Sequence, residues 1–353
     1  MNKEVSAKFG EKILVRAVNW VGDAVMTLPA LDVLGENFPD SRILVLAKPW
    51  VAPVYGQNPA VDRVLIYGKS DGLPSGLGDM ARTIGMLRNE KFDTAVLFQN
   101  AFEAAFLAWA AGIPRRIGYD GDGRGILLTD RISRGGVAPG SHQVEYYLSL
   151  VRAVGCSGES RDPSIAVKNN ERAQSLGLLR EYGIRENDLI VALSPGAMYG
   201  DAKRWPAERF AAVGDMASSR WGARVLVLGS GKEGAVCERT ASSMKSNAVN
   251  LCGKTSLDLA MAVIERCRMF VTNDSGLMHV AAAVGTPTVA VFGSTDHLAT
   301  GPVGSHTRIV RHPVDCAPCL KPECPGDFGC MTAIEPDEVW DAMERLMERS
   351  AGG

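Results

Sequence analysis

Short runs of consecutive apolar residues recur along this chain, each followed by a polar turn and then by a stretch with helical spacing. Ile13-Leu14-Val15-Arg16-Ala17-Val18, Ile43 to Leu46, Val64 to Tyr67 and Thr94 to Phe98 read as strands buried on both faces. Helical patterns lie between them, from about Ala24 to Asn37, Asp79 to Arg88 and Phe102 to Ala111. Such alternation predicts a parallel, doubly wound sheet. Residues 114–142 are rich in glycine, arginine and aspartate and read as long surface loops with little regular structure. Gln143 to Val154 reads as a helix closing this half, and Gly155 to Asn170 as a linker.

The alternation then restarts. Leu189 to Leu193, Arg224 to Leu228 and Ala248 to Leu251 read as strands, with helices over Pro206 to Arg220, Glu233 to Met244 and Ser256 to Arg266. Met269-Phe270-Val271 leads into Asn273-Asp274-Ser275-Gly276, then a helix carrying His279, then a strand through Val289-Ala290-Val291. Ser275 is in place to cap that helix. Glu335 to Arg349 has the spacing of an amphipathic helix. The simplest architecture is α/β: two similar doubly wound domains facing across a cleft.

Composition narrows the function. With 353 residues, 46% of them hydrophobic, two ordinary domains with full cores are expected. A net charge of −2 disfavours a general nucleic-acid binder. No apolar run is long enough to span a bilayer, and the first residues lack a signal-peptide pattern. A cytoplasmic protein with at most peripheral membrane contact is expected.

Four segments carry candidate chemistry. In Asn19-Trp20-Val21-Gly22-Asp23, Asp23 either caps a helix or acts as a general base on a hydroxyl. Ser194-Pro195-Gly196-Ala197 precedes Lys203-Arg204-Trp205-Pro206, where a point charge and a guanidinium near helix N–H groups suit a diphosphate, or else form a solvated basic loop. Gly229-Ser230-Gly231-Lys232-Glu233-Gly234 has the spelling of a dinucleotide fingerprint, but the next strand ends without the acid that fold requires. It reads as a glycine-permitted turn, with Glu233 available to a ribose hydroxyl. The fourth is the Asp274–His279 segment, where a helix start invites phosphate. His279 is either a buried structural residue or a ligand; its closeness to Asp274 and Gly276 favours the ligand role.

These segments, in this order, resemble the heptosyltransferases of lipopolysaccharide inner-core synthesis, glycosyltransferase family 9. The similarity is nearest to the type that adds the second heptose. It also includes Thr27-Leu28-Pro29-Ala30-Leu31, Ala202, and Gly253-Lys254-Thr255-Ser256-Leu257, and covers nearly the whole chain. The resemblance implies a GT-B fold of two Rossmann-like domains. Residues 1–160 would bind the acceptor, 161–185 would link, and 186–334 would bind the nucleotide sugar. Residues 335–353 would form a terminal helix, with the option of packing back on the first domain.

The implied reaction is an inverting, metal-independent transfer of L-glycero-D-manno-heptose from ADP-heptose to heptosyl-Kdo2-lipid A at the inner membrane. By the resemblance Asp23 is the base and Lys203 the phosphate-binding lysine. Glu233 would contact ribose, and Asp274, Ser275, Gly276 and His279 would form the heptose and diphosphate turn. Ser194, Gly196 and Arg204 join the donor site, and Asn19, Arg115 and Arg116 the acceptor site. Arg124, Arg131 and Arg134 could also meet an anionic acceptor. A monomer that binds no nucleic acid is expected. Alternatives are a first- or third-heptose enzyme of the family, and a dinucleotide-binding oxidoreductase.

Of eight cysteines, Cys156, Cys237, Cys252 and Cys267 are scattered and read as free buried thiols. Cys316, Cys319, Cys324 and Cys330 cluster in a segment with Pro318, Pro322, Pro325, Gly326 and Gly329. They suit a structural zinc ion or iron–sulfur cluster, or else are four free thiols in a loop.

Overall fold

Lys12–Arg16 (β1) lies between Arg42–Ala47 (β2) and Thr94–Leu97 (β4), and every neighbour in the sheet is parallel. Arg63–Ile66 (β3), Arg115–Tyr119 (β5) and Asp130–Ile132 (β6) complete six strands in the order β3-β2-β1-β4-β5-β6. This computed structural model describes residues 9–68, 75–136, 138, 140–158 and 162–351. The chain divides into two compact units, Met1–Pro163 and Ser164–Gly353.

The second unit repeats the plan. Ile190–Ser194 (β7), Arg224–Val227 (β8), Ala248–Asn250 (β9), Met269–Asn273 (β10), Thr288–Val291 (β11) and Thr307–Val310 (β12) run in the order β12-β11-β10-β7-β8-β9. Counted within each unit, both orders are those of the Rossmann fold. Order reverses between β1 and β4 and between β7 and β10, so ligand crevices belong at the carboxyl ends of those strands. Continuous apolar runs produce this arrangement because helices cover both faces. Val191, Leu193, Val271, Val289 and Val291 are all fully buried.

Four sequence expectations need correction. First, Ala24 to Asn37 is not one helix. Val21–Met26 (α1) and Leu28–Asn37 (α2) meet at Thr27, because Pro29 has no N–H to continue the ladder. The Thr27 hydroxyl also donates to Ala24 O, at 2.6 Å.

Second, residues 114–142 contribute two strands. Ile117 and Tyr119 are buried, and the flanking charges are neutralised locally, so the polar composition concealed a strand. Arg115 donates to Asp130 at 2.9 Å and stacks on Phe9 at 4.5 Å, and Arg116 donates to Leu127 O at 2.6 Å. Arg124, fully buried, gives its guanidinium to Tyr119 O, Gln99 O and Asn100 Oδ1.

Third, the described part of 161–185 is not a free linker. Ile165 donates to Ala283 O at 2.9 Å, and helix Asn169–Glu181 is tied to Glu265 through Arg172. Residues 159–161 lie outside the described part of the chain.

Fourth, the terminal helix Pro336–Ala351 packs its apolar face into the second unit's own core. Trp340, 1% exposed, lies 4.4 Å from the Trp221 ring and has the Arg220 guanidinium 5.0 Å from its own ring centre. That burial seats the helix in the core of the second unit. The half-buried edge strand β12 has no counterpart among the sequence expectations.

Trp340→Ala is expected to destabilise the protein by about 3–5 kcal/mol, the usual range for deleting a buried tryptophan. A urea unfolding series checks this. A loss below about 1 kcal/mol would mean that the helix contributes little to the core.

Candidate functional site

The second unit brings three loops together at the carboxyl ends of β7 and β10. Asn273, fully buried at the end of β10, joins two of them. Its Nδ2 donates to Pro195 O at 2.7 Å, and its Oδ1 accepts from Trp205 N at 3.0 Å. The Ser194–Ala197 turn and the Lys203–Pro206 segment are thereby held against the Asp274 turn. Lys203 ends a short 3-10 turn (Asp201–Lys203), and its Nζ lies 2.6 Å from Asp274 Oδ2. Thr295 Oγ1 donates to the same oxygen at 2.6 Å. Tyr199 offers its ring face to the ammonium at 5.1 Å. Both charges are largely desolvated, so their geometry matters more than at the surface.

Gly196 has a steric role here. A Cβ on it would fall 2.1 Å from Glu233 Oε1, so a side chain here would push the carboxylate from its present place. Glu233 is held by a capping box, its Oε2 accepting from Ser230 N at 2.7 Å and from Ser230 Oγ at 2.8 Å. The strand after this turn ends at Asn250 without an acid. Arg204 pairs with Asp201 at 2.5 Å and donates to Ala197 O at 3.2 Å, while its buried Nε has no partner.

Ser275 is the N-cap of helix Gly276–Ala283, but its side chain caps nothing. The hydroxyl is 3.1 Å from Thr272 Oγ1, within the turn itself. The expected side-chain cap is therefore absent, and the first-turn N–H groups face the loop cluster without it. His279 is buried one turn into this helix.

In the first unit, Asp23 stands in the first turn of α1, whose N-cap is the exposed Trp20. Burial raises the Tyr55 and Tyr147 hydroxyls well above their ordinary range, with the nearby Asp23 carboxylate adding to the effect. Asp23 thus has two neutral phenols around it. Asn19 accepts from Trp50 Nε1 at 2.7 Å through its carbonyl, and its buried Oδ1 has no partner. Arg115 and Arg116 begin β5, at the amino end of the sheet, with the partners given above. Ligands bind at the opposite edge, so their acceptor role is not supported by their position. Arg131 and Arg134 line a cavity of about 460 Å³ with Asp120, Gly121, Ser133 and Gly135, next to the carboxyl ends of β5 and β6.

The four clustered cysteines line one cavity of about 420 Å³. Burial, and then the other three thiols, push Cys330 up. Among the described residues no three His, Cys, Asp or Glu side chains are gathered into a metal-binding set. Of the scattered cysteines, Cys156, Cys237 and Cys267 are buried as expected, and Cys252 is only partly so. Sequence reasoning missed Thr295 and Tyr199. Thr295 is 21 residues beyond its partner and carries no local signal.

Residues 80–327 match the sequence pattern of glycosyltransferase family 9 (heptosyltransferase). The chain belongs to that family. It is 31% identical over 319 residues to lipopolysaccharide heptosyltransferase 2 of Escherichia coli K12, covering 85% of this chain and 88% of that one. It is 26% identical over 349 residues to lipooligosaccharide heptosyltransferase 2 of Campylobacter jejuni, covering 96% and 99%. Among solved structures it resembles E. coli ADP-heptose lipopolysaccharide heptosyltransferase II, with a TM-score of 0.82 at 27% identity, covering 96% and 99%. A family 9 protein from Veillonella parvula shares the fold, with a TM-score of 0.87 at 23% identity, covering 98% and 99%. The family 9 chain therefore has the two Rossmann-like units of the GT-B fold, and the oxidoreductase alternative falls. In the described part of this transferase no helix is long and apolar enough to cross a membrane.

Asn273→Ala would orphan Trp205 N–H and Pro195 C=O, at about 1–3 kcal/mol for each buried group left unpaired. Urea unfolding is expected to register that loss. Wild-type stability would mean the loops are held by other contacts.

Proposed function

We propose that this transferase moves L-glycero-D-manno-heptose from ADP-heptose to heptosyl-Kdo2-lipid A, adding the second heptose of the inner core. The observation that carries the reading is the Lys203–Asp274 pair at the β7–β10 switch point, beside an open helix start. The 31% identity to a heptosyltransferase 2 supports the choice of donor and acceptor.

The chemistry follows from the residue types. Inversion takes one direct attack on the anomeric carbon, so a single base suffices. Asp23 accepts the proton of the acceptor hydroxyl as the new glycosidic bond forms and the bond to ADP breaks. Negative charge then grows on the departing diphosphate. Lys203 and the first-turn N–H groups of Gly276–Ala283 stabilise it without a metal ion. Asp274 holds Lys203 in place while Thr295 holds Asp274. Glu233 faces the nucleotide ribose, Ser194, Gly196, Ser275 and Gly276 bring backbone groups to the donor, and Arg204 and His279 support its turn. Asn19 lies on the acceptor side.

In this reading residues 1–160 receive the acceptor and 186–334 the donor. The protein works as a monomer on the cytoplasmic face of the inner membrane, touching it peripherally. Its catalysis uses no cofactor, and a structural zinc or iron–sulfur centre sits at Cys316, Cys319, Cys324 and Cys330.

A mass-spectrometric transfer assay tests the whole reading. Purified protein is offered ADP-heptose with Kdo2-lipid A or its mono-heptosyl derivative. A gain of one heptose on the mono-heptosyl acceptor alone is expected. Gain on Kdo2-lipid A would reassign it as a first-heptose enzyme, and no ADP release from either would refute the donor.

Asp23→Asn is expected to slow turnover by about 10²–10⁴-fold, the usual worth of a general base, with ADP binding little changed. Unchanged turnover would remove Asp23 from the mechanism. Lys203→Ala is expected to weaken ADP binding in calorimetry, because it removes the cation and leaves Asp274 facing the diphosphate. Wild-type affinity would refute the phosphate role.

A further inference from the structure

The cysteine segment does not stand apart from the donor loops. Two of its backbone contacts grip the two sides of the Lys203–Asp274 pair. On one side, Ala202 N donates to Pro322 O at 3.0 Å, immediately before Lys203. Tyr199 Oη adds a bond to Leu320 O at 2.9 Å. On the other side, Leu320 N donates to Ser294 O at 2.8 Å, immediately before Thr295, the residue that holds Asp274. The approach is close enough that a Cβ on Gly200 would lie 2.1 Å from Pro322 O.

Between β12 and the short helix Gly329–Thr332 the segment has no strand or helix of its own, and an internal cross-link would give it rigidity. The cavity beside it is lined by Cys316, Cys319, Cys324 and Cys330. Ser294, 1% exposed, lines the same cavity, and its buried hydroxyl has no partner. Gly326 N already donates to Cys324 Sγ at 3.4 Å, the kind of N–H···S bond that supports a metal-bound thiolate. Lys321, also at the cavity, can offset part of the charge of four thiolates. As they stand, the four thiols line the cavity without forming a ready-made set of three ligands.

We propose that the four cysteines bind one thiophilic metal ion or iron–sulfur centre as thiolates, and that this centre positions Lys203 and Asp274 for the donor diphosphate. The coupling rests on the donor-site reading above. The metal centre does not. Binding of the ion, or of a preformed cluster that brings its own inorganic sulfide, releases the four cysteine protons to solvent and changes no oxidation state. Soft sulfur ligands select zinc or iron over magnesium and calcium.

The test uses the full chain, purified under reducing conditions. Metal content is measured by mass spectrometry and visible absorption, and ADP affinity by calorimetry before and after chelation. One zinc per chain without colour, or iron with thiolate absorption bands, is expected. Removal should weaken ADP binding by at least about fivefold, the lower end of usual coupling between sites, and the same metal should restore it. Gly200→Ala should keep the metal yet weaken ADP binding, since it parts the two segments without touching a cysteine. No bound metal, with four freely titrating thiols, would overturn the centre. Bound metal with ADP affinity indifferent to both chelation and Gly200→Ala would overturn the coupling alone. An untreated protein that binds metal but no ADP would refute the donor reading, and the coupling with it.

Discussion

The loop cluster of the second unit depends on one buried amide. Asn273 uses both ends of its side chain, donating to the β7 loop and accepting from the backbone just beyond Lys203. A side-chain amide is suited to this because it has donor and acceptor on one rigid plane. Aspartate would lack the donor, and an aliphatic residue would leave two buried backbone groups unpaired. Because β10 is central in its sheet, the joint is anchored on the stiffest part of the unit. The loops carrying charge are therefore attached to a fixed point instead of drifting on the surface.

That fixed point explains how a lysine and an aspartate can be held so far out of water. An isolated ion pair gains little when its partners must be ordered at their own expense. Here the ordering is already done by Asn273, by the Thr295 hydroxyl and by the loop of residues 314–329 that lies against both sides. The first unit follows a different logic. Asp23 is carried on a helix start, and the groups around it are phenols kept neutral by burial.

Much of this was legible in the sequence. Both doubly wound sheets follow from apolar runs such as Ile13–Val18 and Leu189–Leu193, because a strand covered on both faces has no polar alternation. Asp23 and Asp274 drew notice because each follows closely on such a run, and Lys203 because it lies beside an arginine between β7 and the next long helix. What was hidden has physical causes. Arg115-Arg116 looked like solvent-exposed sequence, yet its charges are spent on Asp130 and on carbonyls at the blunt end of β5. Residues 169–181 looked like a linker because helix Asn169–Glu181 has little apolar surface to reveal its register. Thr295 and the grip of the cysteine segment on Tyr199 and Ala202 are contacts between distant stretches, and no local pattern encodes them.

The missing side chain at Gly196 has a consequence for how this site can change over evolutionary time. Its α-carbon and the Glu233 carboxylate occupy neighbouring space with nothing to spare. The constraint runs one way: a side chain at 196 must displace the Glu233 carboxylate, whereas a shorter residue at 233 leaves Gly196 undisturbed. A lineage that shortens the acid at 233 gains room for a methyl group at 196, and one that acquires the methyl first must pass through a damaged intermediate. Drift at these two positions, 37 residues apart in the chain, is therefore ordered: the acid has to give way before the glycine can.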